Sequence, residues 1–288
     1  MAYLLLIGAV LLSAVSSIGG KFYNRANADR KDPNRLYTLL MYCSVLAGWW
    51  ILFLTDFDFE AKVLPYAAVF GVSYTLSTAS VVYALKYGPA SLTQLIVSMS
   101  LIVAAVWGIL FWGESLTWLV AAGLMFAVAA LVLTIYSGRR ESRKVSFKWV
   151  LFVLLAFVGN ASCTITQRTE QMMFHGQYGN MLMAFAMIPA AIIGVVSFLK
   201  SDRRDMKIIL KKTWFVPVIV GVTNLLVNLV VMMLVQTDLT ASLIYPVIGV
   251  GGLSVVLIVS LAAFREKLRW WQWIGIAFGA AATVLLSI

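Results

Sequence analysis

The chain has 288 residues, 62% of them hydrophobic and only 12% charged, against roughly 25% charged in an ordinary soluble domain. Too few charged residues remain to cover a water-facing surface, which excludes a soluble enzyme. The net charge of +10 is spread over short runs between long apolar stretches, which excludes a disordered chain, a nucleic-acid binder and a disulfide scaffold.

A helix needs about 20 mostly apolar residues to cross the hydrocarbon of a bilayer. Ten such windows follow one another, at residues 3–22, 36–54, 63–85, 90–112, 117–136, 148–171, 180–199, 214–235, 240–264 and 270–288. The first has no Lys or Arg ahead of its apolar run, so it reads as a retained helix and not a secretory signal. The fold class expected is therefore an all-α integral membrane protein with ten transmembrane helices and no room for an extramembrane domain.

Lys and Arg sort between alternate loops. Twenty of the 22 lie in one set, from Lys21 to Arg35, at Lys86, from Arg139 to Lys148, from Lys200 to Lys212 and from Arg265 to Arg269; only Lys62 and Arg168 lie in the other. The positive-inside rule makes the first set cytoplasmic and both termini extracytoplasmic, in a multi-pass plasma (inner) membrane protein.

The sequence also matches itself at offsets near 150. At 152, Glu114 falls on Glu266, Trp118 on Trp270 and Gly123 on Gly275. At 151, Ala90-Ser91-Leu92 falls on Ala241-Ser242-Leu243. At 150, Gly71 falls on Gly221, Tyr74 on Asn224 and Thr78 on Asn228. At 147, Ser13, Ser17, Lys21 and Asn24 fall on Asn160, Thr164, Arg168 and Gln171. Two repeats follow, 1–138 and 148–288, joined by a basic cytoplasmic linker at 139–147. With five helices each, the second repeat enters the membrane inverted, as in alternating-access carriers.

Gly88-Pro89-Ala90-Ser91-Leu92, then about twenty apolar residues, then Trp112-Gly113-Glu114-Ser115-Leu116 and a helix carrying Gly123 resemble the EamA-type repeat of the drug/metabolite transporter superfamily. The second half repeats the pattern from Ala241 to Pro246, then as Arg265-Glu266-Lys267-Leu268 and Gly275. Leu95 stands where the pattern often has the proline that Pro246 supplies in the second half. The resemblance implies a ten-helix carrier of small solutes such as amino acids, sugars, nucleotide-sugars, amines or vitamins.

Polar side chains at membrane depth mark either a cavity or hydrogen-bonded helix packing. Asn224 and Asn228 share a helix face, and Tyr74 and Thr78 are their repeat mates. Gln94 and Ser98 form another i, i+4 pair, with Tyr245 and Gly249 as mates, in a helix that Pro246 is expected to distort. Asn160, Thr164, Gln167 and Arg168 continue one face, with Lys21 the repeat mate of Arg168. Those two cations either reach the headgroups or line the two mouths and contact anionic groups there. Tyr74, Thr78, Gln94, Ser98, Asn160, Thr164, Gln167, Asn224, Asn228 and Tyr245 are the substrate-site candidates, with Lys21 and Arg168 as gating residues.

Glu114 and Glu266 each precede a helix and are expected to cap it. Gly275 with Gly279 and Gly123 with Ala127 form small faces for packing within the chain or in a homodimer. His175, the only histidine, has no metal-ligand neighbours in sequence, and Cys43 and Cys163 read as buried apolar fillers. Trp49, Trp112, Trp149, Trp270, Trp271 and Trp273 read as interfacial anchors.

No catalytic residues, cofactor, metal or nucleic-acid partner is expected; the partners are a small-molecule solute and the bilayer. The expected function is that of a facilitator or exchanger moving a small polar metabolite, such as an amino acid or amine, by alternating access. No acidic residue falls near the middle of a window, which argues against proton coupling. A non-transporting membrane scaffold and, less favoured, a membrane-embedded enzyme on lipid-linked substrates are the alternatives.

Overall fold

The computed structural model describes residues 1–87, 93, 96–135, 146–202, 204–264 and 269–286. Gln94, the motif from Gly88 to Leu92, Leu95, most of the basic linker and Arg265 to Leu268 lie outside the described residues. The described chain is all helical: α1 Ala2–Ala26, α2 Pro33–Thr55, α3 Leu64–Tyr87, α4 Ser100–Phe111, α5 Trp118–Ile135, α6 Phe147–Met173, α7 Gly179–Leu199, α8 Met206–Thr213, α9 Phe215–Val235, α10 Ala241–Phe264 and α11 Trp270–Leu286.

It is a multi-pass membrane bundle. Six helices are long and apolar enough to span a bilayer among the described residues, in α1, α2, α6, α7, α9 and α10; shorter apolar helices cover Ile96–Phe111, Trp118–Leu133 and Trp270–Leu286. Each of the ten apolar windows thus contains a helix, but not every helix has the length of a span. The outer surface is apolar, as lipid contact demands: Leu4, Ile7, Leu11 and Val15 recur at helical spacing on the exposed face of α1, and Leu151, Leu154 and Val158 on that of α6.

Local chemistry sets the helix ends. Ser146 caps α6 by accepting the Trp149 N–H at 3.2 Å. At its other end α6 stops in a left-handed turn, His175 at φ 51° and Gly176 at φ 76°, where the Gly176 N–H returns to the Gln171 carbonyl at 3.0 Å. The lone histidine therefore belongs to a helix stop. Helix α8 buries Ile209 and Thr213 on one side while Lys207 and Lys211 are exposed on the other, the pattern of a helix lying along a membrane surface.

The helices pack mostly across the two halves. Helix α1 packs on α9 and α3 on α6; α2 packs on α9 and α3 on α7; α1 packs on α10 and α4 on α6; and α2 with α7, α4 with α10 and α5 with α11 pair directly. Two glycines aligned in sequence serve two of these contacts. A Cβ on Gly71 would lie 2.5 Å from the Ala186 carbonyl oxygen in α7, and one on Gly221 would lie 2.8 Å from the Met41 carbonyl oxygen in α2. Both positions require glycine so that two backbones can touch.

The loops gather at two ends. Lys31 N–H donates to Asp205 at 3.1 Å, Asp202 N–H donates to Asp32 at 3.2 Å and Arg35 donates to the Lys200 carbonyl, joining the α1–α2 and α7–α8 loops. Gln177 donates to Asp58, joining the α2–α3 and α6–α7 loops.

Several expectations change on this fold. Trp49 is fully buried and Trp149 nearly so, its indole donating to Thr93 at 2.9 Å; these two are core residues, not anchors. Cys163 is buried, but Cys43 is exposed on the apolar surface. Helix α10 runs unbroken through Pro246; the proline removes the amide that would have bonded the Ser242 carbonyl without ending the helix.

Candidate functional site

The most concentrated buried chemistry lies where the α4–α5 loop meets α6 and the start of α10. Arg168 projects from α6 and donates from Nη2 to Glu114 Oε1 at 3.0 Å; both side chains are less than one-tenth exposed. Glu114 also accepts the Ala241 and Ser242 N–H groups and, at 2.6 Å, the Ser242 hydroxyl. Its carboxylate therefore caps α10, a helix of the other half, instead of α5, which follows it in sequence. Two free amides and the positive end of the helix dipole make that a favourable place for a carboxylate.

The pair is built tightly. A Cβ on Gly108 would lie 2.8 Å from the Glu114 carboxyl carbon, so glycine lets the carboxylate fold back beside α4. The Arg168 guanidinium stacks over Trp112, 5.1 Å from the ring centroid, a contact that strengthens when water is absent. Arg168 thus does not reach for the headgroups, and Trp112 serves it as a platform.

Part of the cation is left unmet. Arg168 Nε and Nη1 are buried without a hydrogen-bond partner among the described residues, as are the Tyr245 hydroxyl and Gln167 Nε2. Tyr245, on the second turn of α10, is 2% exposed, and its hydroxyl lies beside the Arg168 guanidinium.

Two residues further along α6, Glu170 is fully buried, accepts from Gln171 Nε2 at 2.6 Å and keeps Oε1 unpartnered among the described residues. Gln236, at the end of α9, donates to Gln171 at 3.3 Å. The sequence places Glu170 near a span end, and burial there comes from packing that the one-dimensional reading does not show.

The remaining candidates fall in separate places. Asn160 donates to Ser100 at 2.6 Å, and Thr164 bonds back to the Asn160 carbonyl at 3.2 Å. Asn228 donates to the Asn224 carbonyl at 2.9 Å on α9. Thr78 bonds back to Tyr74 at 2.9 Å, and the Tyr74 ring stands edge-on to Tyr42 and stacked on Phe70, with centroids 6.1 Å apart in each case. All six candidates, Tyr74, Thr78, Asn160, Thr164, Asn224 and Asn228, are half-buried, as are Ser98 and Lys21. Lys21 sits towards the basic end of α1, away from the Glu114–Arg168 pair. Helices α3 and α9 share a core, since Tyr74, Leu225 and Leu229 pack in one cluster.

Residues 1–136 match the EamA-like transporter family. That match covers the first half of the chain. A solved structure described only as "Crystal structure of protein" has the same fold, with a TM-score of 0.74 at 14% identity over 99% of this chain and 95% of that one. No curated protein matches. The first half of the chain is thus similar to EamA-like transporters, and the likeness to the solved structure extends that fold over the whole chain. Among the described residues no cluster of His, Cys, Asp or Glu could hold a metal ion.

Proposed function

We propose that the transporter carries a small polar metabolite, such as an amino acid or amine, across the plasma membrane by rocking two inverted five-helix repeats, 1–138 and 148–288, about a site at the bilayer midplane. Ten spans and two extracytoplasmic termini follow from that reading. The observation that carries it is the exchange of partners between halves. Gly71 and Gly221, one repeat apart, each lay backbone on backbone against the other half, and the helix pairs α1 with α9 and α3 with α6 repeat under the same exchange. A two-fold relation in the membrane plane produces such a pattern.

The linker at 139–147 joins the repeats on the cytoplasmic side. The two loop clusters agree with the charge count: the end holding Arg30, Lys31 and Arg35 is the basic one, and the end holding Asp58 and Gln177 is not. Glu114 and Arg168 then close the extracytoplasmic mouth, and Lys21 stands at the opposite one. Tyr74, Thr78, Asn160, Thr164, Asn224 and Asn228 supply the hydroxyl and amide groups between the mouths, with Ser98 on the α3–α4 side. Two of the small faces meet partners within the chain: Gly123 meets Leu286, and Gly279 meets Val250.

A thermal-unfolding screen of the purified protein against amino acids, amines, sugars, nucleotides and vitamins tests the reading. A solute that binds only the folded protein adds about 2.7 kcal/mol at 100 times its Kd. The expected result is a stabilising hit that Asn228→Ala abolishes; hits indifferent to both Asn228→Ala and Tyr74→Phe would place the solute elsewhere.

A further inference from the structure

We propose that the cleft between α1 and α9, at the basic end of the bundle, is a binding site for an anionic phospholipid, with an acyl chain lying in the cleft and the phosphate held at Arg25. The inference needs only the membrane bundle and does not depend on what is transported.

Helical spacing builds the cleft. Val15, Ile18, Phe22 and Arg25 follow one another at steps of three and four on α1, and Val216 and Ile219 of α9 complete the lining of a cavity of about 770 Å³. Gly19 sets its depth. A Cβ there would lie 2.6 Å from Val220 Cγ2, so the missing side chain lets α9 close in and leaves Val216, 5% exposed, as the floor. Val15, Phe22 and Ile219 stand about half exposed along the rim.

The dimensions are those of a lipid. Val15 lies near the middle of α1 and Arg25 in its last turn, a rise of about 15 Å. One leaflet of a hydrocarbon core about 30 Å thick has that depth. An apolar wall one leaflet deep that ends in a cation fits a phospholipid and not a small polar solute.

Charge selects the headgroup. Asn27, two residues beyond Arg25, donates to Thr213 at 3.1 Å in a buried bond, which fixes the end of α1 against the end of α8. Lys211 and Lys212 directly precede Thr213, and Lys207 lies one turn earlier; all three are exposed on a helix that runs along the membrane surface. In the adjoining loops Asp32, Asp202 and Asp205 pair with Arg35, Arg204 and Arg30. Asp29 is then the described carboxylate left in these segments to offset Arg25 and the three lysines. Basic clusters at this depth attract anionic lipid, each cation by about fivefold. A second copy of the chain is the poorer occupant, because two-fold pairing over the cleft would set these cations against themselves.

The test uses the full-length protein, delipidated in a neutral detergent. The probes are dioleoyl phosphatidylglycerol and dioleoyl phosphatidylcholine, with glycerol phosphate as the headgroup without chains. Native mass spectrometry counts the bound molecules and thermal shift ranks them. The expected result is one tightly held phosphatidylglycerol per chain, phosphatidylcholine at least about tenfold weaker, and no competition from glycerol phosphate. Arg25→Gln should cut that preference by about fivefold, and Lys211→Gln with Lys212→Gln by several-fold again. These side chains are exposed, so the melting temperature of the lipid-free protein should stay within a few degrees. Ile219→Trp fills the cleft from an exposed position and should displace both lipids, whereas Leu151→Trp, on the exposed face of α6, should displace neither. Equal binding of the two lipids, a preference unchanged in both charge variants, or the same behaviour of Ile219→Trp and Leu151→Trp overturns the assignment. So does competition by glycerol phosphate alone, which would make this a free-anion site, or a dimer that Ile219→Trp breaks, which would make it an interface between copies. Alternating access is read separately, at Asn228 and without added lipid, so either claim can fail while the other stands.

Discussion

Glu114 and Arg168 come from different halves of the chain and meet at 3.0 Å, each less than one-tenth exposed. Removing one partner strands the other charge in a low-dielectric interior, which costs about 3–5 kcal/mol. Glu114→Gln should therefore destabilise the transporter strongly. The double variant Glu114→Gln with Arg168→Met should cost less than the sum of its parts. Equilibrium unfolding in mixed micelles measures both, and additivity would show that the two side chains do not depend on one another.

Ser242 gives Glu114 a hydroxyl bond at 2.6 Å beyond its backbone amide. Ser242→Ala removes only that donor. A hydrogen bond to a charged group contributes about 1.5–3 kcal/mol, and the loss should shrink once Glu114 is already Gln. The same unfolding assay reads this difference.

Gly71 and Gly221 should respond alike to a single added methyl. Gly71→Ala and Gly221→Ala each force a Cβ into a facing carbonyl, an overpacking that costs about 1–3 kcal/mol. Gly8, with nothing within 4 Å of its would-be Cβ, is the control: Gly8→Ala should be neutral or stabilising by up to about 1 kcal/mol, since alanine favours the helix. A large loss at Gly71 with none at Gly221 would break the proposed equivalence of the two repeats.

The two loop clusters predict labelling from opposite sides. Cysteines placed at Asp58 and Gln177, in a background lacking Cys43 and Cys163, should react with an impermeant maleimide from outside intact cells. Cysteines at Arg30 and Asp202 should react only after permeabilisation. Labelling of all four from one side would refute the orientation that the Lys and Arg count gives.

Much of this was legible in one dimension because lipid imposes a simple rule: apolar length makes a helix, and the windows at 36–54, 180–199 and 214–235 coincide closely with α2, α7 and α9. Sequence alignment also brought Gly71 to Gly221, which the packing then used in matching ways. The partners of charged groups were harder to read. Glu114 precedes α5 and looks like its cap, yet it caps α10, because that contact depends on how the halves fold together. Trp49 and Glu170 lie towards helix ends, where an anchor or a solvated carboxylate is the natural expectation, and both are fully buried. The meeting of Arg168 with Tyr245 had no sequence signal apart from the polar face running from Asn160 to Gln167.

The central claim is that a hydrated path opens alternately to two mouths, with Glu114 and Arg168 closing one of them. Its most direct measurement is the accessibility of Asn228→Cys to impermeant maleimide, from each side of the membrane, in a background lacking Cys43 and Cys163 and with or without Glu114→Gln. The account predicts labelling from the cytoplasmic side when Glu114 is present, and a several-fold rise in labelling from the extracytoplasmic side when it is replaced. A position that stays unlabelled from both sides in both backgrounds would contradict it.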